Sequence, residues 1–475
     1  MSKLLFSHSY FYRFDPKQWK AQQPYPPLAT ILAAACMREA GHSVALFDTN
    51  LRESPLEVRE ALKQHKPDYF IIYDDGFNYL TKMCLTNMRD AACVMAKEAK
   101  ESGCVVIMNS SDATDHYEYY LNNSVDYVVR GEGEETLKKL LEVLNENKEP
   151  SSVDGIAFGD VVTRSRPVIT DLSSLPLPAW DLVDIDQYKR MWGNRFSLNL
   201  ATTRGCPFKC NWCAKPIYGN RYNSRSPEHV VREIEFLIKN YGPDHFWMCD
   251  DIFGLKPGWI QQFRDLVKSK DLNFRYKIQS RVDLLLQEDT IEALAESGAE
   301  TVWVGAESGS QKILDAMDKG TTISEIEQAS VLLRKKNIRV GFFLQFGYPG
   351  ETREDIEKTI AMVLKLMPDE IGISVSYPLP GTKFYEKVKD QLGGKQNWSD
   401  SDDLLMMYSG TYPPEFYKIL HRYVHNRYGI QRGRAAMRNP LRGRSLRHVA
   451  ALALHIPMAM MRGMRMENIY RSHAG

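Results

Sequence analysis

Three cysteines lie within eight residues of this chain, in the stretch Ala201-Thr-Thr-Arg-Gly-Cys-Pro-Phe-Lys-Cys-Asn-Trp-Cys213. Cys206, Cys210 and Cys213 form a C-x3-C-x2-C array, with the aromatic Trp212 just before the last thiol. Connections this short let three thiolates converge on one metal centre. Soft sulfur ligands select zinc, copper(I) or iron–sulfur clusters. A closed zinc site needs four ligands, and so does a cubane cluster that only carries electrons. Three ligands therefore point to a cluster with one iron open to a substrate or cofactor. The competing reading is a zinc or iron–sulfur module completed by Cys249 or a histidine, serving binding or electron transfer without catalysis.

The elements that must hold this array are legible around it. Strands are expected over Ser197–Thr203, His245–Asp250, Tyr276–Ser280, Thr301–Ala306, Gly341–Phe346 and Glu370–Ser376, with helices over 227–240, 257–268, 287–297, 323–336 and 352–366. Ser226-Pro227 is a helix start, a cap followed by proline at the first helical position. Six β/α units between about 196 and 385 predict a partial (β/α)6 barrel, open on one side. In barrels the loops after the strands build the active face, and the cysteine loop directly follows the first strand. Asp250 and Asp251, Ser280 and Arg281, Glu307 and Ser308, and Gln345 stand at later strand ends. Asp250-Asp251 and Glu307-Ser308-Gly309 are equally good helix caps.

Residues 1–150 alternate differently spaced elements: strands over Leu4–Ser9, Ser43–Asp48, Tyr69–Asp75, Cys104–Ser110 and Val125–Gly131, helices near 27–40, 55–65, 79–102 and 133–146. That alternation predicts an α/β, doubly wound (Rossmann-like) parallel sheet, whose ligands bind beyond the carboxyl ends of its strands. Those ends carry Asp75, Ser110, Ser111, Thr114, Gly131 and Glu132. Any α/β domain has polar turns there, so topology alone assigns no ligand. Residues 151–195 read as a linker, with a hairpin turning at Gly159-Asp160 and a Pro-rich extended stretch after it. Residues 386–475 turn helical, with a helix over Pro414–Tyr428. From His421 onward there are eleven arginines and one acid, Glu467. The apolar run His448–Met461 is too short to span a bilayer and is interrupted by Pro457. It suits a membrane interface, a cover for the open side of the barrel, or a mobile tail. Without aromatics interleaved among the arginines, no nucleic-acid partner is expected.

At 475 residues the chain has room for two or three domains. Its eight cysteines are scattered outside the triad, which excludes a disulfide framework and indicates a reducing compartment. The first residues lack the apolar core of a signal peptide. A cytoplasmic protein is expected.

Two stretches carry a family resemblance. Thr203-Arg-Gly-Cys-Pro-Phe-Lys-Cys210, with the aromatic before the third cysteine and a strand before the loop, resembles the radical SAM signature found beside B12 domains. Pro26-Pro27-Leu28 leading into Leu32–Gly41, then Val125-Asp-Tyr-Val-Val-Arg-Gly-Glu-Gly-Glu-Glu-Thr136, resemble the cobalamin-binding domain that precedes the radical domain in B12-dependent radical SAM proteins of the class B methyltransferase type. The sequence departs from that pattern at Ser110–Thr114, where Asp112 replaces a histidine. No Asp-x-His-x-x-Gly motif occurs, so a bound cobalt has no lower histidine from that source.

The resemblance implies a [4Fe–4S] cluster on Cys206, Cys210 and Cys213, with S-adenosylmethionine on the fourth iron. It places Trp212 toward adenine, and Asp250, Arg281 and Glu307 toward the cofactor's polar end or ribose. Asp251, Ser280, Ser308 and Gln345 belong to the same site. Pro27, Asp75, Ser110, Ser111, Thr114, Gly131 and Glu132 are the implied cobalamin contacts. The implied activity is methylation of an unactivated carbon or phosphorus centre, in a small-molecule or lipid-like substrate, through a 5′-deoxyadenosyl radical and methylcobalamin. Cyclisation, rearrangement or oxidative chemistry in the same architecture is the alternative. A low-potential electron donor of the flavodoxin or ferredoxin type is the implied partner; peripheral membrane contact through the C-terminal segment is expected separately, from its arginines and apolar run. A methylthiotransferase is disfavoured, because no second N-terminal cysteine triad is present.

Overall fold

The computed structural model describes residues 1–82, 85–215, 217–394, 397–438 and 445–473. They form two compact units: Met1–Pro207 with Lys215–Ile278 and Asn397–Asp403, and Phe208–Ala214 with Gln279–Gln396 and Leu404–Gly475.

The first unit opens with β1 (Lys3–Ser7), β2 (Ser43–Phe47), β3 (Tyr69–Tyr73), β4 (Val105–Asn109) and β5 (Tyr127–Val129), paired in parallel in the order β2-β1-β3-β4-β5. All five residues of β3, Tyr-Phe-Ile-Ile-Tyr, are buried, as expected of a parallel strand covered on both faces. Helices α1 (Leu28–Glu39), α2 (Val58–His65), α3 (Thr86–Glu101) and α4 (Glu134–Asn145) supply the cover. Phe70, Ile72, Val106 and Met108 share a core with Met95 and Ala99 of α3. The expected helix over 79–102 is a short turn, Tyr79–Lys82, followed by α3; Met83 and Cys84 lie outside the described residues. The expected linker hairpin is β6 (Ile156–Phe158) and β7 (Val161–Val162), and it is not a separate feature. It adds to the sheet, because β6 pairs antiparallel with β5.

A second sheet has the order β15-β14-β13-β12-β11-β8, counting β8 (Ser197–Leu200), β9 (Thr203–Arg204), β10 (Asn223–Ser224), β11 (His245–Met248), β12 (Arg275–Ser280), β13 (Ala299–Glu307), β14 (Arg339–Phe346) and β15 (Glu370–Val375). β11 is parallel to β8 and β12, and β14 is parallel to β13 and β15. All six strand expectations hold to within two or three residues. The first strand stops at Leu200 because Thr202 and Thr203 turn their amides to Asp250, after which β9 pairs antiparallel with β10. The intervening helices are α5 (Pro227–Tyr241), α6 (Trp259–Ser269), α7 (Thr290–Glu296), α8 (Ile323–Lys335) and α9 (Arg353–Leu366). Ser226 Oγ caps α5 through the His229 amide at 3.1 Å.

The C-terminal segment of the second unit folds into α10 (Pro414–Arg438) and α11 (Leu452–Ser472). α10 is ten residues longer than expected, and α11 runs through Pro457. Proline there removes one early backbone bond, and tertiary packing of Ala459, Met466 and Tyr470 compensates. No described helix is long and apolar enough to cross a membrane.

Candidate functional site

The cysteine loop begins at a backbone position that only glycine fits. Gly205 has φ +77°, and a Cβ there would lie 2.3 Å from the Arg221 carbonyl oxygen. All three thiols are half-buried and none is in a disulfide. In the second unit, Asn211 fixes the middle of the loop. Its amide N–H donates to Met317 O at 3.0 Å and its Nδ2 to Ala316 O at 2.7 Å, while its Oδ1 accepts from Tyr348 Oη at 2.9 Å. Cys210 and Cys213 therefore flank a fixed point. Among the described residues, no group of three or more His, Cys, Asp or Glu side chains is gathered to hold a metal ion. The donor set fits a cluster: three thiols on one anchored loop. Cys249, the alternative fourth thiol, is 1% exposed and its Sγ donates to Leu200 O at 3.3 Å. Burial pushes that thiol well above its ordinary value, and neighbouring Asp75 and Asp250 push the same way.

Still in the first unit, Asp250 accepts from the amides of Thr202 and Thr203 and from Thr202 Oγ at 2.6–2.7 Å. Burial raises its carboxyl to about 6 against those hydrogen bonds. Asp250 thus braces the approach to the cysteine loop. Asp251 pairs with Lys82. Arg204, two residues before Cys206, is 4% exposed and clamps two carboxylates. Its Nη1 meets Glu132 Oε1 at 2.5 Å and its Nη2 meets Glu134 Oε1 at 2.7 Å. The rings of Phe77 and Tyr218 stack against the guanidinium. Burial raises the Glu132 carboxyl, Arg204 lowers it and Glu134 raises it again.

In the second unit, Arg281 Nη1 donates to Lys319 O at 2.8 Å, its Nε and Nη2 reach Asp283, and its guanidinium stacks 3.7 Å over Phe208. Glu307 ends β13 at a bulge, with φ +54°, a strained turn of the kind found where barrel rims re-aim a side chain. Its carboxylate takes a buried ion pair from Lys319 at 2.8 Å. Although burial alone lowers the Lys319 ammonium, Glu307 and Cys210 hold it above its ordinary range. Ser308 bonds Thr359, and Ser280 is buried at the end of β12. Gln345 donates to Ser376 Oγ, while its Oε1 and the Trp212 Nε1 are buried without hydrogen-bond partners. An acceptor and a donor left over in this way suit a zwitterionic or nucleoside ligand such as S-adenosylmethionine.

The strand ends of the N-terminal sheet are arranged otherwise. Asp75 accepts from the amides of Leu28, Ala29 and Phe77, capping α1 behind Pro27. Ser110 caps the turn at Ala113, and Thr114 Oγ1 accepts from the Gly131 amide. Glu132 faces Arg204 and the Ile169 amide. Of the seven residues expected at cobalamin, only Ser111 lines the narrow crevice at these strand ends, beside Ala29, Tyr73, Asp74, Gly76, Thr81 and Asn109. Ile217 and Tyr218 also line it, and as it stands it leaves no room for a water-sized group. Arg204, Glu134, Asn211, Lys319 and Tyr218 were not singled out from sequence. Arg204 and Glu134 lie inside the quoted motifs, so their signal was present; Lys319 carries none.

Residues 200–363 match the Radical SAM superfamily. An uncharacterized methyltransferase, PH0819 of Pyrococcus horikoshii, is 31% identical over 78% of this chain and 81% of its own length. The anaerobic magnesium-protoporphyrin IX monomethyl ester cyclase of Synechocystis is 25% identical, over 77% of this chain and 73% of its own. The hopanoid C-3 methylase of Methylococcus capsulatus is 26% identical, over 88% and 79%. Among solved structures, the cobalamin-dependent S-adenosylmethionine radical enzyme OxsB superposes with a TM-score of 0.73 at 15% identity, covering 100% of this chain and 75% of that one. That likeness shows the fold, an N-terminal α/β domain followed by a parallel half-barrel. The chain belongs to the radical SAM superfamily of enzymes, among relatives that include named methyltransferases.

Proposed function

We propose that this protein is a cobalamin-dependent radical SAM methyltransferase that modifies an unactivated carbon, or a phosphorus, of a small-molecule or lipid-like substrate. The observation that carries the reading is the three-cysteine loop, anchored at Asn211 by three hydrogen bonds, in a chain that also holds an N-terminal parallel α/β sheet. Two of the relatives bear methyltransferase or methylase names. When bound, the cluster, S-adenosylmethionine and cobalamin would supply a radical able to take hydrogen from a C–H bond and a transferable methyl group. The chain's own residues do the positioning. Asn211 holds the loop, Gln345 Oε1 and Trp212 Nε1 present an acceptor and a donor, and Arg281 and Glu307 hold the rims of β12 and β13. To admit a corrin, the Ile217-Tyr218 segment has to swing out of the crevice. A low-potential flavodoxin or ferredoxin is the electron donor in this reading, and the compartment is the cytoplasm.

The test is anaerobic reconstitution with iron, sulfide and hydroxocobalamin. Formation of 5′-deoxyadenosine together with cobalamin retained through gel filtration is the expected result; neither appearing sinks the proposal. A second reading, cyclisation without methyl transfer, draws on the cyclase relative. Deuterium from CD3-labelled S-adenosylmethionine appears in the product under the first reading and not under the second.

A further inference from the structure

Helix α11 is fastened along one side and apolar along the other. On the fastened side, Tyr470 packs against Tyr412 and Phe416 at 5.1 and 5.2 Å, and Glu467 pairs with Arg353 at 3.0 Å. On the opposite side, Leu454, Met460 and Met464 are 61%, 66% and 64% exposed. Pro457 and Met461 lie on that same face, at spacings of three and four residues that align on a helix. A well-held helix that presents large apolar side chains to solvent over three turns calls for something to cover them.

Charge identifies the cover. From His421 to the end there are eleven arginines against one acid, Glu467, and that acid is already engaged by Arg353 and Arg471. Arg465 and Arg471 of α11 and Arg434 and Arg438 of α10 are exposed. Pairing this face with a second copy brings two cationic surfaces together without compensating acids. The nearby groove of about 330 Å³ is not the seat of an anion either, since Glu357 and Glu467 line it and both pair with Arg353. We propose that the exposed face of α11 docks on an anionic lipid surface, with Leu454, Met460 and Met464 in the acyl boundary and the flanking arginines at the headgroups. This is the geometry of interfacial helices that lie on a bilayer without spanning it. The inference is independent of the cofactor chemistry.

Full-length protein is sedimented with vesicles of phosphatidylcholine alone and of phosphatidylcholine with phosphatidylglycerol, at low and high salt. Binding is expected only to the anionic vesicles and weakens with salt. Met460→Glu/Met464→Glu lowers the bound fraction at least tenfold, and Arg465→Ala about fivefold, the equivalent of about 1 kcal/mol per surface arginine. Unchanged thermal melts show that these exposed positions leave the fold intact. Three results overturn the proposal: no dependence on anionic lipid, full binding by the double Glu variant, or a dimer mass in light scattering that the double variant abolishes. The last assigns the face to a second copy.

Discussion

At the carboxyl ends of the N-terminal sheet, the acidic side chains are consumed by the protein itself. Asp74 takes the amide and hydroxyl of Ser9, Asp75 takes three backbone amides, and Asp112 is held bidentate by Arg89 at 2.7 Å. In the second unit, near the end of β14 and in the cysteine loop, Gln345 Oε1, Glu351 Oε1 and Trp212 Nε1 are buried with no hydrogen-bond partner. Both sets look alike as sequence, polar residues after strands. The difference teaches which of them are architecture. Buried polar atoms are nearly always satisfied, so an unsatisfied one at a strand end is open to a ligand or water, while the satisfied carboxylates shape the loops; Asp74 lines the crevice with both oxygens already engaged by Ser9.

The sharpest way to break that contrast is to remove a thiol. Cys210→Ala is expected to abolish bound iron and 5′-deoxyadenosine formation to background, with no change in the melting of the N-terminal domain. A variant that still cleaves S-adenosylmethionine ends the cluster assignment. The next largest effect is on Arg204. Truncating one partner of a buried ion pair leaves an uncompensated charge and costs about 3–5 kcal/mol, and Arg204→Ala strands both Glu132 and Glu134. Urea unfolding should show that loss, and Glu134→Gln a smaller one. If Arg204→Ala costs under about 1 kcal/mol, the clamp is not a structural brace.

Glu351 tests the leftover polar atoms through pH. Burial pushes its carboxyl up to about 8, the Gly347 amide pulls it down, and nearby Asp355 and Lys312 oppose each other. Unfolded, the group ionises near 4.5. Between those limits the folded protein holds a proton that the unfolded chain has released, so this group's burial weakens the fold progressively as pH rises from about 4.5 to 8. Glu351→Gln removes the titration. Its stability relative to the parent should climb across that window by about 1.4 kcal/mol per pH unit at most, measured by urea midpoints at pH 5 and pH 8. A flat difference means that the carboxylate is paired or hydrated when folded.

Legibility followed periodicity. The parallel strands of both sheets and the helices between them were readable because apolar runs and caps such as Ser226 are local signals. The hairpin at Gly159 was readable too, but its pairing with β5 was not, since pairing is set by tertiary contact. The continuity of α11 through Pro457 was hidden for the same reason: α10 and Tyr412 hold it. At the site, the cysteines announced themselves by spacing. That Asp75 caps backbone amides and Glu132 pairs with Arg204 was not legible, because a capping carboxylate and a ligand-facing one have the same sequence signature. Lys319 reaches Glu307 from a turn 12 residues away, and nothing in its neighbours reveals that.

The smallest expected effect is the control for all of this. Arg38 holds Asp181 bidentate at 2.8 Å through both oxygens, a geometry as good as that of Arg204 with Glu134. Yet its side chains are 42% and 62% exposed, against 4% and 1% for the buried pair. Exposed pairs gain little, because water screens the charges and two long side chains lose freedom. Arg38→Ala is therefore expected to change unfolding stability by less than about 1 kcal/mol, and salt should shrink even that. Parity between Arg38→Ala and Arg204→Ala would mean that desolvation is not what distinguishes the two pairs, and the contrast between spoken-for and leftover polar groups would then lose its physical basis.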